Sequence, residues 1–564
     1  MDAAAVMVGS EVGRNDTDNH KNGDGTASLT ATEISVSDIN VKSTGSGTFF
    51  FSGVAVGRDG ALTAEKVSVS NVEINQTHNY TEHRYNRFMS GFSANYGTDN
   101  ITSLTVENIQ DIGSLYDSET IGVINTNSQM NVGDLTVNDI SGKSVYGVLV
   151  TNYSRNGDYL ASLSVNNLKI TNISGSKGDV TGISVEMGGE VTVSNSALIN
   201  AGEDETAVWG QDATNIKFLG NSFQAVGTVL ARETLVLNAK ESYLTGSLRA
   251  ESSGALITGE NANGIFEITR VAQSLNWIGN DEYGRWTGES ENIDALYAED
   301  EDSALLPNTM TEPEEYATID LNRNMVIRSQ NSKEYEGADT AHEGFIAAGA
   351  AVRANAGGKI LLDDSESHYE IYGNVIVGNG SDFLTMPGME QTLEDILSQG
   401  SKLFGGRISL GGKNLQLVGD VFAANGGKIS LDLNGNALFE GRADDYHELK
   451  DELKGQVFHN ATFVSNDCAL KDGTLIHDAG DISITMSENA TWIARGQSFV
   501  NSLAFSEGFA GKVDLSKDEN SSLSIGTLSG SGNFVMRLNA DPSKSDMLYV
   551  RTLENGANYT ITMP

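Results

Sequence analysis

The sequence predicts an all-β fold and, within that class, a parallel β-helix. A six-residue pattern recurs about every 30 residues in the first 200, and a second short apolar segment carrying a glycine lies between its copies. The composition, with 62 Gly, 5 Pro and 7% aromatics beside many Ser, Thr, Asn and Asp, suits many short strands joined by tight turns. At 564 residues the chain also exceeds what one compact core usually encloses, which favours an elongated repeat.

The first element reads "ISVSDI" from Ile34, "VSVSNV" from Val67, "LTVENI" from Leu104, "LTVNDI" from Leu135, "LSVNNL" from Leu163 and "VTVSNS" from Val191. Its third position is always Val (Val36, Val69, Val106, Val137, Val165, Val193), and its fifth is Asp or Asn (Asp38, Asn71, Asn108, Asp139, Asn167, Asn195). Successive offsets are 33, 37, 31, 28 and 28 residues, so loop lengths vary while the strand holds. The second element centres on Gly53, Gly91, Gly122, Gly147 and Gly182. Both elements alternate with period two, the mark of strands with one buried face.

Such strands cannot bury a face alone but can do so as stacked coils. Val is then expected over Val inside, with the Asn/Asp column at the turns, where these residues tolerate the left-handed backbone and bond neighbouring amides. A propeller calls for longer blades, and sandwiches for hairpin signals and aromatic anchors; both fit less well.

Past Arg232 the motif gives way to shorter alternating segments, and 276–343 is dense in acid, with Trp277, Tyr283, Trp286 and Tyr297 in or beside it. Compact coils return at "AGGKILLDD" (Gly357), "FGGRISLGG" (Gly405) and "NGGKISLDL" (Gly426), the last two 21 residues apart, with "IYGNVIV" and "LVGDVFA" between them. Helical patterns interrupt this region at 387–400 (Leu393, Ile396, Leu397) and 444–455 (Tyr446, Leu449, Leu453). The expected organisation is an N-terminal β-helix over 1–275, an acidic excursion over 276–343, shorter coils with two helical excursions over 344–464, and a C-terminal cap over 465–564.

A net charge of −40 repels phosphate backbones and argues against nucleic-acid partners. The single cysteine, Cys468, excludes an intrachain disulfide or a multi-thiolate metal site and reads as a small buried apolar residue. No apolar run approaches the ~18–20 residues of a spanning helix, and no signal peptide opens the chain, so "MDAAAVMVGS" reads as a mature amino terminus behind an added Met. Gly-Asp-Ser-Gly, a Gly-x-Ser-x-Gly elbow, His-Glu-x-x-His and a Walker loop are absent. No catalytic residue, metal ligand or cofactor is therefore expected. The aromatic and cationic side chains of His78, Tyr80, His83, Arg84, Tyr85, Arg87 and Phe88 mark 77–97 as a candidate binding loop, with Trp277, Tyr283 and Trp286 as a second group. The plainer readings are a loop covering the spine and a solvated excursion.

The C-terminal stretch resembles the end of autotransporter passengers, the type V secreted proteins of Gram-negative bacteria, in their pertactin-like branch. The matching positions are Trp492, Ser498, Val500, Leu503, Val513, Asp514, Leu515, Leu528, Gly530, Gly532, Phe534, Ser545, Asp546, Leu548 and Gly556. The resemblance implies a right-handed β-helix whose end acts as a folding nucleus, the autochaperone. It also implies a membrane β-barrel beyond Pro564, so that the chain reads as an excised passenger tied to the outer membrane only through that barrel. A long rigid spine with variable inter-strand loops and no catalytic motif points to a binding function: an adhesin for a host-cell surface, matrix protein or glycan. Association with another passenger copy and a polysaccharide-degrading activity are the alternatives. The last would show as Asp with Lys or Arg gathered across coils in a groove.

Overall fold

The computed structural model describes residues 2–9, 27–43, 50–57, 60–76, 87–113, 118–152, 160–270, 279–280, 286–287, 294–300, 305–307, 310, 312–329, 350–378, 401–424, 426–448, 457–459, 480–554 and 558–564. Two units divide the chain, Met1–Leu244 and Thr245–Pro564. Both are built from strands that pair in parallel with the equivalent strand of the next coil, the pattern of a parallel β-helix.

In the first unit the long strands Ala27–Ser43, Gly60–Gln76, Thr98–Asp111, Gln129–Thr151 and Ser162–Glu186 stack in register. Val36 lies beside Val69, Val69 beside Val106 and Val106 beside Val137, and the last three are fully buried. The column continues through Ile170 and Ile199, not through Val165 and Val193. The repeat read at Leu163 and Val191 therefore belongs a few residues earlier in the same strand: Val165 sits on Val132, and Leu168 is the partner of Leu135. The true fifth copy is "LKITNI" from Leu168, 33 residues after Leu135.

The same correction orders the polar column. Asp38, Asn71, Asn108, Asp139 and Asn172 all adopt left-handed backbone, with φ between 54° and 59°. Asn71 Nδ2 donates to Asp38 Oδ1 at 3.0 Å and Asn108 Nδ2 to Asn71 Oδ1 at 2.7 Å. Asn167 and Asn195 form a separate ladder, Asp134–Asn167–Asn195–Asn221, with bonds of 2.7, 2.7 and 2.6 Å.

The recurring glycines answer to close approach. A Cβ on Gly122 would stand 2.5 Å from both the Gly147 carbonyl oxygen and Val137 Cγ1; one on Gly147 would meet Gly182 O at 2.6 Å and Ile170 Cγ2 at 2.7 Å. Each glycine lets a strand lean onto the Val/Ile column across the coil.

One inward position breaks the apolar rule. Asp99 stacks between Leu62 and Met130 and is fully buried. Its Oδ1 accepts from the Leu62 amide at 3.2 Å, while Oδ2 has no hydrogen-bond partner among the described residues. Burial pushes its carboxyl up to about 7, against the Leu62 amide and the Ser128 hydroxyl, which favour the charged form. Ser128 and Asn125, both buried, complete this polar island.

In the second unit the compact register follows the sequence reading: Ile360, Ile408, Ile429 and Ile482 form one column, and Arg407 pairs with Lys428. Within the acid-rich 276–343, Leu296–Glu299 and Ala317–Ser329 are ladder strands of the spine. At the Ala317–Ser329 strand a bulge in its partner lets buried Arg323 donate to the Ile265 carbonyl at 2.9 Å, and burial lowers its pKa to about 10.

The helix expected over 444–455 is overturned at its start: Ala443–Glu448 is a strand whose first four residues align with Val421–Ala424. Ladder pairing there overrides local helix preference. The strand then pairs antiparallel with Val457–His459. The helix expected over 387–400 lies outside the described residues, as does Cys468.

Candidate functional sites

Of the candidate loop residues, His78, Tyr80, His83, Arg84 and Tyr85 lie outside the described residues, as do Trp277 and Tyr283. The backbones of Arg87 and Phe88 begin the Arg87–Asn95 strand, in register with Ser118 and Glu119. Trp286 falls on a two-residue strand paired antiparallel with Asn280.

The structure instead assembles a cluster of opposite charges across coils. Leu248–Glu251, Leu296–Glu299 and Val352–Ala354 stack in parallel, which aligns Arg249, Tyr297 and Arg353 in one column. Arg353 Nε lies 2.9 Å from Asp294 Oδ2, with both side chains at most 1% exposed. The other Asp294 oxygen accepts from the Ala350 amide at 2.7 Å. Arg249 Nε donates to Glu251 Oε1 at 2.7 Å, and its guanidinium lies 4.2 Å from the centre of the Tyr297 ring. The Tyr297 hydroxyl donates to Glu299 and accepts from Asn355 Nδ2 at 3.2 Å. Burial raises the Asp294 carboxyl, against the pull of Arg353, and raises the Tyr297 phenol, with Glu299 acting in the same direction.

This is the cross-coil Asp–Arg arrangement expected of a sugar-cleaving β-helix, but its side chains are closed in rather than set in a groove. Charges held this way act as structure, since removing one partner of a buried pair costs about 3–5 kcal/mol. The sequence signal was available: Leu-x-Ala-Glu occurs at both Leu248 and Leu296, and Val-Arg-Ala at Val352. Separations of 48 and 56 residues hid it.

An open groove of about 710 Å³ does run across the outer face of the first unit. Thr30, Thr63, Asn100, Asn131 and Ser164, one from each of five coils, form one wall, and among the described residues Glu65 is the only ionisable one in its lining. Asn131 Nδ2 donates to Asn100 Oδ1 at 3.0 Å, so the wall is itself a ladder. Among the described residues no group of three His, Cys, Asp or Glu is placed to hold a metal, and no helix is long and apolar enough to cross a membrane.

The C-terminal motif residues have visible structural roles. Trp492 is fully buried, stacks on Phe439 at 5.4 Å and 11°, and donates from Nε1 to the Gly441 carbonyl at 3.2 Å. Leu503 and Phe534 are fully buried, and Phe534 meets Phe505 edge-on at 5.7 Å. Gly530 has φ 75°, and a Cβ there would stand 1.9 Å from Phe505 O; one on Gly532 would stand 2.2 Å from the Phe505 ring. Asp546 accepts from the amides of Ser521 and Arg537, which ties the preceding turn to the strand below. Asp514 is opposed by burial, yet Ser516 and Lys512 hold its carboxyl below the usual range. Leu548 extends the buried column of Ser498 and Leu523. Gly556 lies outside the described residues.

Comparison with known proteins agrees with this end of the chain. Residues 500–562 match the family model Pertactin. No curated protein matches the chain. The final coils, 500–562, are thus similar to the pertactin family, and they continue a parallel β-helix.

Proposed function

We propose that the chain is a passenger displayed at the cell surface of, or secreted by, a Gram-negative bacterium, and that it works by binding, as an adhesin toward host or neighbouring cells. The open groove on the first unit carries this reading. It offers hydroxyl and amide groups at the ~4.8 Å coil spacing, a repeat suited to an extended ligand such as a glycan chain. Among the described residues its lining pairs no carboxylate with a second acid or a base, which favours holding a sugar over cleaving one.

Purified chain is to be tested on cells, matrix proteins and a glycan array, beside Asn100→Arg/Asn131→Arg, which fills the groove with exposed side chains. Binding by the parent and at least a tenfold loss in the double variant is the expected result. Equal binding by both removes the groove from the reading; no binding by the parent to any of the three removes the adhesin function.

A further inference from the structure

Three compact coils of the second unit share Gly-Gly-Lys/Arg-Ile-x-Leu, at Gly357, Gly405 and Gly426, and packing accounts for only part of it. The Ile and Leu positions face inward: Ile360, Leu362, Ile408, Leu410, Ile429 and Leu431 are at most 3% exposed. The glycines answer to crowding at the corner, since a Cβ on Gly406 would stand 2.5 Å from the carbonyl oxygens of both Ala354 and Asn355. The basic position answers to neither. It is the first outward residue after each corner, and the register stacks Lys359 on Arg407 and Arg407 on Lys428.

Cations in successive rungs, ~4.8 Å apart, repel one another. Arg407 is held over the Phe404 ring at 4.2 Å and donates from Nη1 to the carbonyls of Gly405, Gly406 and Gly426 at 2.9, 2.9 and 3.0 Å. The Lys359 amine lies 5.3 Å from the centre of the Tyr316 ring, and Lys428 is exposed. In a chain with 76 acidic residues against 36 basic, among the described residues neither lysine forms an ion pair. Asp481, which follows Lys428 in the column, accepts instead from Ser483 and Asn501 at 3.1 Å.

Beside the cations run Leu361, Ser409 and Ser430, and beyond these Asp363, Gly411 and Asp432. Ser409 Oγ donates to Asp363 Oδ2 at 2.5 Å. A Cβ on Gly411 would stand 3.5 Å from that of Asp363 and 3.4 Å from that of Asp432, so the two acids flank a missing side chain. Burial and the Asp363 charge both raise the Asp432 carboxyl, so this edge already resists further negative charge. The outer face thus carries three stripes along the helix axis: cationic, hydroxyl-bearing and acidic.

We infer that this face of the second unit binds an acidic glycan, a linear sugar chain bearing carboxylates, laid along the helix axis. Charge complementarity selects the occupant. Its carboxylates meet Lys359, Arg407 and Lys428, while its hydroxyls donate to Asp363 and Asp432, and the acidic stripe turns away the reverse orientation. One coil step is close to the length of one sugar unit in an extended chain, so the contacts repeat along the ligand. The net charge of −40 does not forbid this, because at physiological ionic strength exposed charges more than about 8 Å apart are largely screened. The site shares no residue with the groove of the first unit, and does not rest on it.

Calorimetric titration of the full chain with oligogalacturonate and alginate oligomers in physiological salt tests this, beside their methyl esters and polyglutamate. Binding of at least one acidic sugar is expected, with at least a tenfold loss on esterification. The same loss is expected in Lys359→Gln/Lys428→Gln, which alters no buried side chain. Asn100→Arg/Asn131→Arg should bind the acidic sugar no more weakly than the parent, which separates this site from the groove. Failure of the parent to bind either acid, equal binding of the ester, or equal binding by the lysine variant overturns the inference. Polyglutamate bound as tightly as the sugar overturns the assignment to a glycan, and shortening of the oligomer during the titration overturns a role confined to binding.

Discussion

Along 27–200 the inner positions are mostly Val, Ile and Leu stacked on their like, with Phe51 and Phe92 as aromatic exceptions and Asp99 as a polar one, and the corners are Asn and Asp bonded from coil to coil. Along 481–562 the inner positions include Trp492, Phe505 and Phe534, and the strands are three to nine residues long rather than up to 25. Long strands hold neighbouring coils by many backbone hydrogen bonds per rung, and aliphatic side chains then suffice. Short strands offer few such bonds, and rings that bury ~150–250 Å² each supply the cohesion instead. The two regions reach a stable stack by different terms, so they should fail under different substitutions.

The largest effect is expected where one side chain carries most of the packing. Trp492→Ala removes a ring stacked on Phe439 and leaves a large cavity, which should cost about 3–5 kcal/mol. Urea unfolding followed by the near-ultraviolet signal should show the loss. A change below 1 kcal/mol would mean that the aromatic column is not what holds these coils.

In the long coils the matching break is steric. Gly122→Val places carbon 2.5 Å from a carbonyl and from Val137, and overpacking of this kind costs about 1–3 kcal/mol or more. Gly188→Ala is the control, since no atom lies within 4 Å of a Cβ there and only the φ of 79° is strained. Thermal unfolding of the pair separates crowding from backbone strain.

Asp99 sharpens the comparison with pH. Its folded-state carboxyl lies near 7 against 3.8 in the unfolded chain, so unfolding releases its proton between those values. Stability from this group is full below pH 4 and declines by about 1.4 kcal/mol per pH unit until it levels off near 7. Asp99→Asn should therefore stabilise the chain by up to about 4 kcal/mol at pH 8 and by little at pH 4. Urea midpoints at the two pH values give the test; equal gains at both would show that the charge is not the cost.

How far this was legible depends on what each residue competes with. Val36 to Val137 were readable because one motif repeats with one partner column. At Leu163 the sequence misleads because the strands Gln129–Thr151 and Ser162–Glu186 each carry two Val/Ile-x-Asn/Asp-like stretches, ending at Asp134 and Asp139 in one and at Asn167 and Asn172 in the other, and only stacking tells them apart. The compact coils from Gly357 read correctly because their Gly-Gly turns fix the phase. Asp99 could not be read: an acid in "TDNITSL" looks like a turn until its strand partners turn out to be Leu62 and Met130. The Arg249–Tyr297–Arg353 column was hidden by the long intervals between its strands, and the groove by the distance in sequence between its five coils.

The corner ladder allows the finest test. Asn71 has two separable roles: it holds φ 55°, and it both donates to Asp38 and accepts from Asn108. Asn71→Gly keeps the left-handed backbone accessible and removes the bonds; Asn71→Ala removes the bonds and adds about 1 kcal/mol of backbone strain. Exposed bonds of this kind are worth roughly 0.5–1 kcal/mol together, since water competes for the same groups. Asn71→Gly should thus cost under about 1 kcal/mol and Asn71→Ala about 2, readable as a difference in urea midpoint at constant slope. If the two variants are equal, the Asn column is kept for its hydrogen bonds. If Asn71→Gly matches the parent, the column marks a backbone requirement and the coil-to-coil amide bonds add nothing to stability.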